Sequence, residues 1–350
     1  MEPFAGTNCY YLLEKAIYND RDIVRNTLRD IKKAGFNVIR MWAFSDGEGQ
    51  GKLQTRPGVP DPAALAAFDW LMDEVEALGG IKLMLTLTNC LADYGGMQQY
   101  VRWAKGEAGP GPNDFGFNER FELYTNSRAK DFYKEYVAAI INRYKGRACI
   151  HSWDICNEPR NRLPNAPSDV IAGWVQEAAG WVKSLDTRHP VTVGSEGFFG
   201  PSPPAPVDWQ GKNPYGYNEG CNWALESQSP NIDFVCIHSY ADQWRRGDTT
   251  QQWLDFNKQW LDCHLEACSK HLGNKPLVLQ EYNMPQCPQR TQYYDYVRQT
   301  LAAKNLLVGA LCWMTAAEGY YNDGYTLYAS SPEMQPLTSM CAQINRPRPA

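Results

Sequence analysis

Histidine is scarce in this 350-residue chain, with five in all, and no two of them stand at His-x-x-x-His spacing. No Cys-x-x-Cys pair occurs either. The spacings that assemble a zinc site are therefore missing, and neither a metal nor an organic cofactor is expected. No Lys/Arg-rich run interrupts the sequence, and its net charge is −5. Nucleic acid and anionic membrane surfaces are accordingly not expected partners. No apolar run approaches the roughly 18 residues of a membrane span. Met1-Glu2-Pro3-Phe4 lacks the charged and apolar regions of a secretory leader, so the chain either starts after a removed leader or never had one. No Asn-x-Ser/Thr acceptor is found.

What is present is ordinary in bulk and unusual in one respect. Hydrophobic residues at 43% and charged residues at 21% place the chain among globular proteins rather than disordered ones. The length exceeds the usual range for one domain, yet an α/β barrel of about 250 residues with long loops fits 1–350 as a single unit. Twelve Trp and twenty Tyr are more than a barrel core needs. Core packing accounts for most of them, but flat amphipathic rings also suit stacking on sugars, and an uncharged polymer would suit the surface. Eleven Cys leave at least one thiol unpaired within the chain. Cys156, Cys236 and Cys312 lie in strand-like runs and read as small buried hydrophobes. Cys90, Cys221, Cys263, Cys268 and Cys287 are the disulfide candidates, with the pairing left open.

Eight short apolar runs alternate with longer segments that have helical spacing or room for a crossover, which is the pattern of repeated βα units. The runs are Phe4–Tyr10, Asn37–Trp42, Lys82–Thr88, Ile150–Ile155, Val191–Gly194, Phe234–His238, Leu277–Gln280 and Ala310–Trp313. They predict an α/β protein with a (β/α)8 TIM barrel. Asp61 as N-cap and Pro62 at the first helical position open a helix that Gly79-Gly80 ends. Ser127 opens another, with Tyr133, Tyr136, Val137, Ile140, Ile141 and Tyr144 on one face; Val170 to Ser184 forms a third. Gly106 to Pro112 and Pro201 to Gly216 read as long surface loops, and Ser330 to Ala350 as a tail that wraps the barrel bottom or frays.

Barrel enzymes carry their chemistry at the C-terminal ends of the strands, so the residues closing each run are the informative ones. The second run closes on Arg40 and Trp42, the third leads to Asn89, and the fourth to Asn157-Glu158-Pro159. The sixth closes on His238 and Tyr240, the seventh on Glu281 and the eighth on Trp313. Glu158 and Glu281 thus face each other across a barrel mouth. Acetal cleavage needs such a pair, one carboxyl to protonate the leaving oxygen and one to attack the anomeric carbon from the opposite face. A lone Glu would be read as an ion-pair partner of Arg40 or a surface acid; two at matching strand ends favour the chemical role.

The runs WDICNEPR (Trp153–Arg160), HSYADQW (His238–Trp244) and PLVLQEYN (Pro276–Asn283) resemble those of glycoside hydrolase family 5. RMWAFSDG (Arg40–Gly47), DYGGMQQYVRWA (Asp93–Ala104), LYTNSRAKDFYKEYV (Leu123–Val137) and SLDTRHPVTVGSEGFFG (Ser184–Gly200) narrow the likeness to endo-β-1,4-mannanases of plant and fungal type. The resemblance spans Gly6 to about Tyr325. It implies Glu158 as acid/base and Glu281 as nucleophile. Asn157 then bonds the 2-hydroxyl of the reacting sugar, Arg40 and Tyr240 hold the nucleophile, and His238 bonds near the acid/base or the sugar. Trp313 lies beneath the reacting sugar and Arg160 lines the leaving-group side. Trp42, Asn89, Trp244 and Glu196 either reach the substrate or lie under long loops. One departure stands out, Glu281-Tyr282-Asn283 where the family commonly has Glu-Phe-Gly.

The implied enzyme is an extracellular, monomeric, retaining hydrolase of mannan, glucomannan or galactomannan. A β-1,4-glucanase on the same barrel is the nearest rival, since mannose and glucose differ only at C2. A non-catalytic carbohydrate-binding barrel would not need both carboxyls with their supports. A metal-dependent barrel isomerase would need more ligands than five histidines and these strand ends supply.

Overall fold

The computed structural model describes residues 1–107, 118–163, 167, 169–201, 212–303 and 306–345. Eight parallel strands carry the fold: β1 (Phe4–Asn8), β2 (Val38–Trp42), β3 (Lys82–Thr86), β4 (Ile150–Asn157), β5 (Val191–Gly194), β6 (Val235–Ser239), β7 (Leu277–Tyr282) and β8 (Leu307–Cys312). Every residue of β1, β2, β5, β6 and β7 is buried, because helices cover one side and the barrel interior the other. The strands pair in the order β5-β4-β3-β2-β1-β8-β7-β6. The seam between β5 and β6 is bridged by the Asp233 N–H donating to the Val191 carbonyl at 2.9 Å and the Thr192 hydroxyl donating to the Phe234 carbonyl at 2.8 Å. Past the end of β5 the Glu196 carbonyl accepts from the His238 N–H of β6 at 3.2 Å. The result is a nearly closed (β/α)8 barrel.

The two-residue period of a strand sorts the interior into layers. Phe4, Val38, Met84, Cys236, Val278 and Leu311 belong to one apolar cluster. Two residues further along the same strands stand Gly6, Arg40, Thr86, His238, Gln280 and Trp313, so the inward phase turns from apolar to polar or aromatic as the strands rise. Gly6 is the exception by size, since a Cβ there would lie 2.2 Å from the Val38 carbonyl oxygen.

Helices pack outside. Asp61 caps Pro62–Leu78 by accepting from the Ala64 N–H, and Gly79 ends it as expected. Ser127–Tyr144 opens at Ser127 as expected, capped by Asn126, which accepts from the Ala129 N–H. Val170–Leu185 forms as expected. Thr250–His271 is held by a capping box between Thr249 and Gln252.

Several expectations need correction. The first run stops at Asn8, because the chain then turns into the short helix Leu12–Ile17. The fourth and seventh strands run two residues longer than expected, so Asn157 and Glu281 are strand residues held by the ladder. The eighth starts earlier, at Leu307. The tail forms the helix Met334–Ile344, packed on β1 and on helices Arg21–Ala34 and Pro288–Ala302. All eleven cysteines are free thiols, including the five disulfide candidates, and ten are buried. The greater part of both expected long loops lies outside the described residues.

Candidate active site

A cleft of ≈ 980 Å³ opens at the C-terminal ends of the strands. Ten of the expected site residues line it: Trp42, Asn89, Asn157, Glu158, Arg160, Glu196, Tyr240, Trp244, Glu281 and Trp313. Arg40 and His238 do not. Both are fully buried and stand behind the carboxylates, Arg40 bonded to Glu281 and His238 to Glu158.

Glu281 is gripped from two sides. Arg40 Nη1 donates to its Oε1 at 2.5 Å, and the Tyr240 hydroxyl donates to its Oε2 at 2.8 Å. These contacts fix the rotamer and leave the carboxylate only 4% exposed. Glu158 follows β4 with φ +46°, a left-handed backbone that a glutamate adopts only under constraint. Its N–H is tied to the Gly194 carbonyl at 2.7 Å, and this turn brings the side chain back over the barrel mouth.

His238 joins the two acids. Its Nδ1 lies 2.8 Å from Glu158 Oε1 and 3.7 Å from Glu281 Oε2, while Nε2 lies 3.0 Å from Gln280 Oε1. Because the Gln280 oxygen can only accept, Nε2 carries a hydrogen, and one proton occupies the contact between Nδ1 and Glu158. Burial pushes His238 toward the neutral form, but Glu281 and Glu158 outweigh it and raise its pKa. Burial also pushes Glu158 up; the hydrogen bond and charge of His238, with Arg160 and Arg40, bring it below the ordinary carboxylate value. For Glu281 burial, seconded by Glu158, prevails over His238, Arg40 and Tyr240, and its pKa is raised. A cation and a hydroxyl on the nucleophile would by themselves give the opposite pair of shifts, a depressed nucleophile and a raised acid. The difference is His238, which shares the acid's proton.

One ligand atom each of Glu158, His238 and Glu281 fall within 4.8 Å of one another, a convergence that would also interest a metal ion. Arg40 already holds Glu281 Oε1, and two carboxylates sharing an imidazole with a proton between them form an acid–base relay. One oxygen of each carboxylate lying within 4.8 Å of the other puts the pair on the close side, toward the about 5–5.5 Å of retaining glycosidases rather than the about 6.5–9.5 Å of inverting ones.

A family model described as GH family 5 beta-mannosidase-like matches residues 5–307. The chain belongs to this family. A mannan endo-1,4-β-mannosidase of Solanum lycopersicum is 34% identical over 349 residues, covering 93% of this chain and 80% of the relative. One from Oryza sativa subsp. japonica is 33% identical, covering 91% and 76%. Among solved structures, the endo-β-1,4-mannanase of Thermotoga petrophila superposes with a TM-score of 0.84 at 27% identity, covering 98% of this chain and 77% of that one. That of Rhizomucor miehei gives 0.81 at 27% identity, covering 98% and 95%.

The remaining walls of this family 5 site come from the loops. Trp313 closes β8, half-buried, with its ring stacked on Tyr10 at 5.4 Å between centroids and its indole N–H donating to Asp323 at 2.8 Å. Asn157 gives its oxygen to Arg40 at 2.7 Å and one amide hydrogen to Asn89 Oδ1 at 3.1 Å, which leaves its second amide hydrogen for a ligand. Asn89 is thereby a bracket for Asn157 within the cleft wall. Glu196 meets Arg160 in a two-bond pair at 2.6 Å each, and Glu219 takes the third Arg160 bond at 2.9 Å. Glu196 therefore orients Arg160 first. Trp244 is 7% exposed and packs on Phe198 and Trp260, so only an edge reaches the cleft. Trp42 lies under the Arg40 guanidinium, 4.8 Å from it.

Sequence reading missed the buried polar floor: Asn8, Thr86, Asp154 and Gln280, each fully buried and bonded to Arg40 or its partners. A signal existed. Asp154 and Gln280 are polar residues inside otherwise apolar strand runs, and buried polar residues need partners. It also missed Tyr10, Asp93, Tyr94, Tyr215 and Tyr325 of the cleft wall, which lie in loops without periodic pattern.

Proposed function

We propose that this family 5 enzyme hydrolyses internal β-1,4-mannosidic bonds of mannan, glucomannan or galactomannan with retention at the anomeric carbon, Glu158 serving as acid/base and Glu281 as nucleophile. The observation that carries the roles is the close approach of Glu158 and Glu281 with unlike partners, an imidazole on one and a guanidinium with a phenol on the other.

In the first step Glu281 attacks the anomeric carbon while the glycosidic oxygen takes the proton shared by Glu158 and His238. The bond to the leaving sugar breaks as the bond to Glu281 forms. Arg40 and Tyr240 orient the attacking carboxylate. Esterification removes the charge of Glu281, so Glu158 becomes more acidic and is suited to take a proton from the water that then attacks the anomeric carbon, breaking the bond to Glu281 and restoring its carboxylate. Asn157 donates its free amide hydrogen to the 2-hydroxyl, and Trp313 lies beneath the ring. Arg160, oriented by Glu196, borders the leaving-group side.

In this reading residues 1–350 work as one catalytic domain, as a monomer, on an extracellular polysaccharide, without nucleic acid or membrane as partner. No helix among the described residues is long and apolar enough to cross a membrane. The test is release of reducing ends from purified mannan and from a soluble cellulose derivative. Mannan is expected to be the better substrate; preference for the cellulose derivative would make the enzyme a glucanase on the same barrel.

A further inference from the structure

Beneath the two carboxyls lies a third, Asp154 of β4, which is fully buried and absent from the cleft wall. Arg40 has five N–H hydrogens and uses all of them. Nε donates to Asp154 Oδ2 at 2.9 Å; Nη2 donates to Asp154 Oδ2 at 2.8 Å and to Asn157 Oδ1 at 2.7 Å. Nη1 donates to Asn8 Oδ1 at 3.2 Å and to Glu281 Oε1 at 2.5 Å. The guanidinium thus gives two bonds to Asp154 and one to Glu281. Asp154 Oδ2 also accepts from Thr86 Oγ1 at 2.9 Å and from Gln280 Nε2 at 3.3 Å. That last bond fixes the Gln280 amide, since a carboxylate can only accept. The Gln280 oxygen is thereby turned to His238 Nε2, which places the shared proton at Nδ1 against Glu158.

We propose that Asp154 is the positioning residue that organises both catalytic carboxyls, through Arg40 to Glu281 and through Gln280 and His238 to Glu158. Along the first path it balances the buried guanidinium, so Arg40 aligns Glu281 without surrendering its whole charge to it. A carboxylate paired with an unshared guanidinium in a dry site would be a poorer nucleophile. Along the second path it sets the imidazole tautomer, without which Nδ1 would not face the acid in the right state. The inference rests on the roles given above to Glu158 and Glu281.

The charges around these groups are few. Asp154 faces Arg40 of β2, the thiols Cys156 of its own strand and Cys236 of β6, and Tyr133 of helix Ser127–Tyr144; burial keeps the thiols and the phenol neutral. Glu281 faces Arg40, His238, Glu158 and Tyr240. Loss of the Asp154 charge therefore leaves Arg40 to act undivided on Glu281 and lowers the pKa of that carboxyl.

The test is a set of pH profiles on mannan for wild type, Asp154→Asn, Gln280→Leu and Glu281→Gln. Asp154→Asn is expected to lower kcat about a hundredfold, the scale of a misplaced catalytic group, with KM within about twofold. Its acid limb should move to lower pH. Gln280→Leu cuts only the second path, so its alkaline limb should move to lower pH while the acid limb stays. It decides the second path even if Asp154→Asn fails to fold. An Asp154→Asn enzyme whose activity loss tracks its unfolded fraction, with both limbs in place, would make Asp154 structural and overturn the proposal. So would an unmoved alkaline limb in Gln280→Leu. If Glu281→Gln is inactive while these results hold, only the positioning claim falls; if Glu281→Gln stays active, the carboxyl assignment falls and takes the claim with it.

Discussion

A single proton between Glu158 and His238 sets the pH behaviour of the site. Glu281 must be ionised to attack, and its pKa is raised above the ordinary 4.5 by burial and then by Glu158, so the acid limb of kcat/KM is expected above that value. The alkaline limb marks loss of the shared proton. His238 holds it with a pKa raised above 6.5, because Glu281 and Glu158 outweigh the effect of burial. In wild type that proton has two places to sit. In His238→Asn it has one, so the alkaline limb should move to lower pH, while Glu158→Ala should abolish the limb and recover cleavage of an activated substrate with added azide. A His238→Asn profile that coincides with wild type would show that the imidazole does not share the acid's proton. The sequence singled out the two carboxyls but not how their pKa values divide, because the bond between His238 and Gln280 joins two strands that meet only in the folded barrel.

At the level of elements, the strand ends explain what could be read early and what could not. Apolar runs located all eight strands, since a parallel strand buried on both faces has a continuous signature. The C-terminal limits of the fourth and seventh were misplaced because Asn157 and Glu281 are polar residues still held in the ladder, at register with Gly194 and His238. The departure at Asn283 also has a physical reason. Its side chain accepts from Arg290 Nε at 2.9 Å and from the Tyr294 hydroxyl at 2.7 Å, and donates to the carbonyls of Tyr325 and Trp313. A glycine could not make this tie between the end of β7 and the loop that carries Trp313. Trp313→Ala is therefore expected to lower activity far more than thermal stability, since the ring is half-buried and its anchors Tyr10 and Asp323 lie at the rim. A collapsed melting temperature with normal activity in the remaining folded enzyme would assign Trp313 to the core instead.

In the molecule as a whole, a barrel with an apolar lower layer and a polar upper layer delivers two acids to one mouth, and the β5–β6 seam is closed by bonds that run from Asp233, Thr192 and His238. The sequence conveyed this architecture through the alternation of strand and helix. It did not convey the state of the cysteines, because burial and pairing depend on neighbours distant in the chain; all eleven remain thiols. Nor did it convey the buried floor beneath the acids, whose members come from β1, β3, β4 and β7 and meet around Arg40 of β2. What this assembly is built to do is displace twice at one carbon. The stereochemistry of the first product tests that most directly. Proton NMR of a mannooligosaccharide digest within the first minutes, before mutarotation, should show the new reducing end as the β-anomer. An α-anomer appearing first would contradict a covalent intermediate on Glu281 and, with it, the account of the site.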